Sequence, residues 1–320
     1  MMKAGVVALV GRPNTGKSTF LNCVLQEQIS IVTPKAQTTR DQVRGIRTEE
    51  RGQIVFVDTP GIHRAKEGGI NEYMIQEVRR ALEAPDLVLY LLDPESKPEA
   101  ESRVLEHLEG VESSLILVVN KTDLLKREPG RREWISSWME TVRTRLENTG
   151  VVFLGAVEIS AIRGEGIDSL LDRIFQILPE GPPLYDDPES LTDRPLRFVV
   201  SEMIRKQLFM NLGDEIPYSC AVEIESFRES AKPVHISALI HVERESQKGM
   251  VIGAGGAKIK EIGSKARTEI EALVGEKVYL ELRVKVLESW TRETRKMKDL
   301  GYALEKPGAG GRARNKKEKR

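Results

Sequence analysis

Largely apolar runs recur through the first part of the chain, at residues 6–10, 54–58, 87–93, 115–120 and 151–160, separated by amphipathic stretches. Runs without polar alternation predict strands buried on both faces. Their alternation with helices predicts a mostly parallel sheet covered on both sides. One further segment, VRGIRTE at residues 43–49, can pair antiparallel with residues 54–58 across the turn ERGQ. The expectation is an α/β domain over residues 1–179.

The pattern then breaks. Residues 178–195 carry five prolines, several acids and few apolar positions, which predicts a linker at about 180–193. Beyond it the order is helix (196–210), strand, strand, a helical pair around Gly253, and a strand at 277–286. That order predicts a small α+β domain over residues 194–302. The segment 303–320 lacks apolar periodicity and is expected to be disordered.

Composition narrows the picture only locally. The 320 residues balance 49 basic against 49 acidic side chains, so no global field points to a polyanionic partner. Residues 306–320, however, hold seven basic residues and one acidic one, a local +6. The two cysteines, Cys23 and Cys220, form no CxxC pair, which fits a reducing compartment. The apolar run at 6–10 is too short for a signal core or a membrane span, so a cytosolic protein is expected.

Four motifs fall where the strands end. GRPNTGKST runs through Gly11, Arg12, Pro13, Asn14, Thr15, Gly16, Lys17, Ser18 and Thr19, between a strand and a helix. Glycines there let successive amides wrap phosphates, and the helix N-terminus adds positive potential. Lys17 would reach the β- and γ-phosphates and Ser18 would ligate Mg²⁺. Asp58, Thr59, Pro60 and Gly61 form DTPG, with Asp58 holding Mg²⁺ through water and the Gly61 amide sensing the γ-phosphate. In NKTD, Asn120, Lys121 and Asp123 are candidates to read the base. A carboxylate accepts both the ring N–H and the amino protons of guanine, a pair that adenine does not offer. Ser160 and Ala161 follow the last strand, where the Ala161 amide would meet guanine O6. In this order the motifs resemble the translation-factor-related GTPases, which implies a Ras-like P-loop domain binding GTP and GDP.

Between the first helix and DTPG lies TPKAQTTRDQ, residues 33–42. Thr39 is favoured over Thr38 as the threonine that meets Mg²⁺ and the γ-phosphate, because relatives of this class place one directly before Arg-Asp. Residues 63–69 read as a mobile second switch. After Gly61, where many GTPases have a water-orienting glutamine, stands Ile62, which cannot hydrogen-bond water. Asn14 has two readings. It accepts an unusual φ angle, or, as in potassium-activated members of the group, it helps bind K⁺ against the phosphates. The catalytic candidates are thus Lys17, Thr39, Gly61 and Asn14.

A second glycine turn, Gly253, Ala254, Gly255 and Gly256, lies between two predicted helices and precedes Lys258 and Lys260. Such a turn lets an RNA backbone approach closely. Its context resembles a type II KH domain, although Ala254 and Gly255 stand where a basic residue is common. A GTPase domain joined to a C-terminal KH domain resembles the Era family of bacterial ribosome-assembly GTPases, over residues 3–302. The resemblance implies Mg²⁺-dependent GTP hydrolysis and binding of the 3′ end of 16S rRNA in maturation of the small (30S) subunit by a monomer. It also implies peripheral association with the inner membrane surface. The alternative is an RNA-binding KH protein whose GTPase domain is structural and turns over slowly. A third reading, a GTPase of tRNA modification, leaves the KH domain unexplained.

Overall fold

The computed structural model describes residues 2–63, 68–127, 130–147, 149–213 and 215–305. The N-terminal sheet comprises β1 (Lys3–Val10), β2 (Val43–Glu49), β3 (Gly52–Asp58), β4 (Leu87–Leu92), β5 (Ser114–Val119) and β6 (Val152–Glu158), in the order β2-β3-β1-β4-β5-β6. All pairs are parallel except β2 with β3, whose register sets Val43 opposite Asp58. The helices α1 (Lys17–Leu25), α2 (Gly69–Ala81), α3 (Pro98–Leu108), α4 (Arg131–Leu146) and α5 (Ile167–Ile177) cover both faces.

Strand periodicity explains how. Val7 and Leu9 of β1 pack with Phe20, Phe56 and Ile174 on the α1/α5 side. Ala8 and Val10 pack with Tyr90, Leu105 and Trp138 on the other. A strand with apolar side chains on both faces has no amphipathic alternation, as its sequence shows.

Residues 180–193 do not hang free between domains. The buried Gln53 side chain accepts from the Leu184 and Tyr185 amides (2.7 and 2.9 Å) and donates to the Tyr185 carbonyl (3.0 Å). Ile46 N donates to Leu191 O at 2.9 Å, and Arg44 pairs with Asp193 at 3.0 Å. The segment is therefore strapped along the β2/β3 edge, and Leu191 O satisfies the Ile46 amide that the edge strand β2 leaves open.

The second unit comprises α6 (Leu196–Asn211), β7 (Ala221–Arg228), β8 (Val234–Val242), α7 (Glu245–Ile252), α8 (Ala257–Val274), β9 (Val278–Val286) and α9 (Thr294–Asp299). Its sheet runs β7-β8-β9, with the first pair antiparallel and the second parallel. Sequence periodicity did not reveal α9. Trp290, Met297 and Tyr302 around it are buried against Tyr73 of α2, with the Tyr73 and Tyr302 rings 5.4 Å apart. The carboxy-terminal region of the second unit thus rests on the first.

Candidate nucleotide and RNA sites

The strand ends at β1, β3, β5 and β6 bring the four motifs together. Gly16 sits at φ 93, and a Cβ there would lie 2.2 Å from Asn120 Nδ2, so only glycine lets the phosphate loop meet NKTD. Asn120 is the tie: its Nδ2 donates to Thr15 O (2.9 Å), and its Oδ1 accepts from the Ala161 amide (3.0 Å). The Ala161 amide, expected to face guanine O6, is engaged with Asn120 in this arrangement. Asp123 Oδ1 accepts from the buried Ser160 hydroxyl at 2.7 Å, which orients the carboxylate expected to read the base. Lys121 pairs with Asp93 at 2.5 Å and lines the nucleotide groove.

Lys17 is buried and donates to the Gly11 and Arg12 carbonyls at 3.1 and 2.8 Å. Burial lowers its pKa to about 8, opposed by the nearby charges of Asp58 and Glu101. Burial raises the Asp58 pKa, opposed by Lys17 and by hydroxyl donors. Both groups are pushed toward neutrality, and phosphates with a divalent cation would reverse both shifts.

Ser18 Oγ donates to Asp58 Oδ2 (2.7 Å) and lies 3.1 Å from Thr39 Oγ1, while Ser30 Oγ also donates to Asp58 Oδ2 (2.8 Å). Asp58 Oδ1 is buried with no hydrogen-bond partner among the described residues. An orphaned carboxylate oxygen beside two hydroxyls is an all-oxygen donor set, which fits Mg²⁺. Thr38 turns elsewhere, hydrogen-bonding Lys35 O (2.8 Å) and Thr33 Oγ1 (2.7 Å), so the Thr39 hydroxyl alone of the pair faces Ser18.

The remaining motif residues divide between the groove and its frame. Pro13, Asn14, Thr19 and Gly61 line a groove of about 510 Å³. Thr15 and Thr59 are buried, and their hydroxyls donate to Arg12 O (3.0 Å) and Leu9 O (2.7 Å), holding the loop and strand end. Pro60 is buried beside them. The Arg12 guanidinium stands 4.0 Å from Glu101, a buried acid that accepts from the Tyr90 hydroxyl at 2.5 Å. Local spacing gave no signal for that tie between the phosphate loop and α3. Ile62 is buried in the core and donates its amide to Gly11 O at 3.0 Å, so its side chain points away from the groove. Asn14 has φ 64 and donates Nδ2 to Pro34 O at 3.1 Å. Residues 64–67 of the expected second switch lie outside the described residues, as do residues 306–320 of the tail.

In the second unit, Gly253 and Gly255 take φ 73 and 58, and a Cβ on Gly253 would fall 2.6 Å from the Lys258 Cβ. Gly256 N-caps α8, and Ala254 and Gly255 are exposed. Lys258 and Lys265 are both drawn to Glu261 (2.9 and 2.8 Å), holding its carboxyl down to about 2. Lys260 instead lines a cleft of about 310 Å³ between α8 and β9, with Ile259, Gly263, Arg267, Leu280 and Leu282. This cleft has no local sequence signature, because it arises where a glycine on the helix face meets apolar residues of a strand.

The fold and these two sites define a P-loop guanine-nucleotide protein carrying a KH domain. A family model described as a 50S ribosome-binding GTPase matches residues 6–121, and a KH domain model matches residues 215–291. The chain is 43% identical over 307 residues to the GTPase Era of Thermoanaerobacter sp. (strain X514), covering 95% of this chain and 98% of that one. It is also 43% identical over 302 residues to the GTPase Era of Geotalea uraniireducens (strain Rf4), covering 94% and 98%. A variant of Aquifex aeolicus Era bound to GDP·AlF4⁻ superposes with a TM-score of 0.87 at 35% identity, covering 95% of this chain and all of that one. An Era complex with MgGDPNP and nucleotides 1506–1542 of 16S ribosomal RNA gives 0.85 at 36% identity, with the same coverage. The chain belongs to the Era family of GTPases.

Proposed function

We propose that this GTPase is a nucleotide-gated RNA-binding switch acting in maturation of the small ribosomal subunit, with the 3′ end of 16S rRNA as its target. The observation that carries the reading is the contact between the nucleotide-sensing elements and the KH domain. Ile70, at the start of α2 behind the second switch, donates its amide to Thr291 O at 2.8 Å. A change in α2 on loss of the γ-phosphate would therefore alter how the KH domain docks. The Era complex that holds both a GTP analogue and rRNA supports the pairing of ligands. In this reading the KH domain clasps single-stranded RNA backbone at Gly253, Ala254, Gly255 and Gly256. Lys260 and Arg267 meet phosphates along the α8/β9 cleft, and Ile259, Leu280 and Leu282 take base faces. Conditional depletion of the protein should accumulate small subunits whose 16S rRNA keeps an unprocessed 3′ end. Normal small-subunit profiles after depletion would contradict the assignment.

The chemistry of turnover follows from the groove. GTP would lie along the phosphate loop, with the Gly61 amide at the γ-phosphate, and the phosphate charge would favour the protonated form of Lys17. Ser18, Thr39 and Asp58, the last through water, would hold Mg²⁺, which supplies neutralisation of the β- and γ-phosphates when bound. Asp123 reads the base. With Ile62 in the core, no side chain at that position orients water, and charge stabilisation carries more of the rate.

Asn14 is the candidate to add such charge. Its amide nitrogen is engaged with Pro34, leaving the carbonyl oxygen as the atom to face a K⁺ ion. Hydrolysis should run at least about tenfold faster in KCl than in NaCl at equal ionic strength, and Asn14→Ala should abolish the difference. Equal rates for the unmodified protein would remove Asn14 from catalysis. The protein acts as a cytoplasmic monomer in this account, and membrane contact is peripheral. Among the described residues no helix is long and apolar enough to cross a membrane.

A further inference from the structure

Thr39 and Arg40 are consecutive, and they serve opposite sides of one loop. Thr39 Oγ1 lies 3.1 Å from Ser18 Oγ at the nucleotide site. Arg40 is only 3% exposed and reaches into the KH domain. Its Nη1 donates to Cys220 O (2.8 Å), and its Nη2 donates to Tyr218 O (2.7 Å) and Pro217 O (3.3 Å). The guanidinium carbon stands 5.5 Å from the Trp290 ring centroid and 5.8 Å from that of Tyr302. The next two residues anchor the loop to α2: Asp41 accepts from the Tyr73 hydroxyl at 2.6 Å, and Gln42 Nε2 donates to Glu77 O at 2.7 Å.

A guanidinium cannot shed its charge, so burial is tolerable only while its donors are matched. Here the match comes from three carbonyls within one four-residue turn and from two ring faces. Carbonyls of a single turn move as a body, and the planar fork of arginine fits them in one orientation. Holding the Arg40 fork fixes the backbone of the adjoining residue. The cradle thereby restricts where the Thr39 hydroxyl can lie.

We infer that Arg40 is a positioning residue for the GTPase site: the KH cradle holds it so that Thr39 is presented to the metal and the γ-phosphate. The inference rests on the reading of Thr39 as the switch threonine. GTP offers Thr39 a partner that GDP lacks, so the seated cradle favours GTP over GDP. By reciprocity GTP favours the seated cradle. This assigns to the KH domain a share in the nucleotide preference of the first domain, before any RNA is bound.

The test is equilibrium binding of a non-hydrolysable GTP analogue and of GDP, with Mg²⁺ and without RNA, to the full chain. Arg40→Ala should weaken the analogue about tenfold and leave GDP within about twofold, since GDP is held by the phosphate loop and NKTD. Thr39→Ala should do the same. The double variant should be no weaker than Thr39→Ala alone, because both substitutions break one interaction. Retained GDP affinity reports that the domain is folded. If Arg40→Ala loses GDP affinity as well, Arg40→Lys carries the test. It keeps the charge and most of the stem but presents its donors from a single nitrogen, without the planar fork that spans the carbonyls from Nη1 and Nη2. It should also lose discrimination. Full discrimination in Arg40→Lys, or losses that multiply in the double variant, would overturn the inference while leaving Thr39 in place. Unchanged discrimination in Thr39→Ala would overturn the threonine assignment and the inference with it. Because no RNA is present, failure of RNA gating gives a different signature.

Discussion

Asp123→Asn is expected to lower GTP affinity by roughly 10⁴-fold and to give the protein measurable affinity for xanthosine triphosphate. The carboxylate offers two acceptors to the ring N–H and the amino group of guanine. An asparagine presents one acceptor and one donor, which leaves the guanine amino group facing a donor. Sites built around hydrogen bonds reject the wrong partner by about 10⁴ to 10⁵ because buried polar groups are left unpaired. Xanthine carries an oxygen in place of the amino group and restores both bonds. The Ser160 hydroxyl, which now donates to Asp123 Oδ1 at 2.7 Å, fixes the side chain so that the exchange is read at the base. Competition between guanine and xanthine nucleotides would measure it. Retention of GTP affinity within about tenfold would show that Asp123 does not read the base.

The second large effect is expected at the glycine turn of the KH domain. Both Ala254 and Gly255 are exposed, and no atom lies within 4 Å of a Cβ placed on Gly255. Its φ of 58 is a conformation that aspartate tolerates better than most residues. The double substitution Ala254→Asp with Gly255→Asp should therefore fold. It sets two negative charges at the N-terminus of α8, where a phosphate would dock. Each charge at about 6 Å costs roughly 1 to 1.5 kcal/mol at an intermediate effective dielectric, so rRNA affinity should fall by about 100-fold. The loss should be greatest at low salt. Intrinsic GTP turnover should be unchanged. RNA binding within about twofold of the unmodified protein would reduce Gly253, Ala254, Gly255 and Gly256 to a plain helix connection.

What the sequence made legible depended on contact range. The strands β1, β3, β4 and β5 announce themselves because burial on both faces excludes polar residues from short runs such as residues 87–92. The phosphate loop and NKTD are equally plain, since each is a local constellation with fixed chemistry. The choice between Thr38 and Thr39 was a matter of resemblance in the sequence, whereas in the structure each hydroxyl has its own partners. Contacts across many residues left no periodicity to read. The Gln53 clamp on residues 184 and 185 is one case, because an isolated glutamine in an apolar strand looks like an exposed exception. The acidic, proline-rich composition of residues 180–193 also hid their close pairing with the sheet edge. Arg40 is another, a basic residue within a polar loop whose partners lie about 180 positions away. By contrast, the pairing of Lys258 and Lys265 with Glu261 follows helical i,i+3 and i,i+4 spacing, and it shifts the positive face of α8 toward Lys260 and Arg267.

These contacts bear on one claim, that the nucleotide state and the RNA site are coupled. Thr291 and Tyr302 touch α2, and Arg40 extends from the nucleotide loop into the KH domain, so the two domains share a polar and aromatic seam. The most direct measurement is the affinity of the full chain for the 3′-terminal fragment of 16S rRNA, at one fixed salt concentration. It would be taken once with a non-hydrolysable GTP analogue and once with GDP. The account predicts binding at least about tenfold tighter with the analogue, the size of an ordinary coupling free energy. Equal affinity in the two states would contradict it, leaving a GTPase and an RNA-binding domain joined without communication.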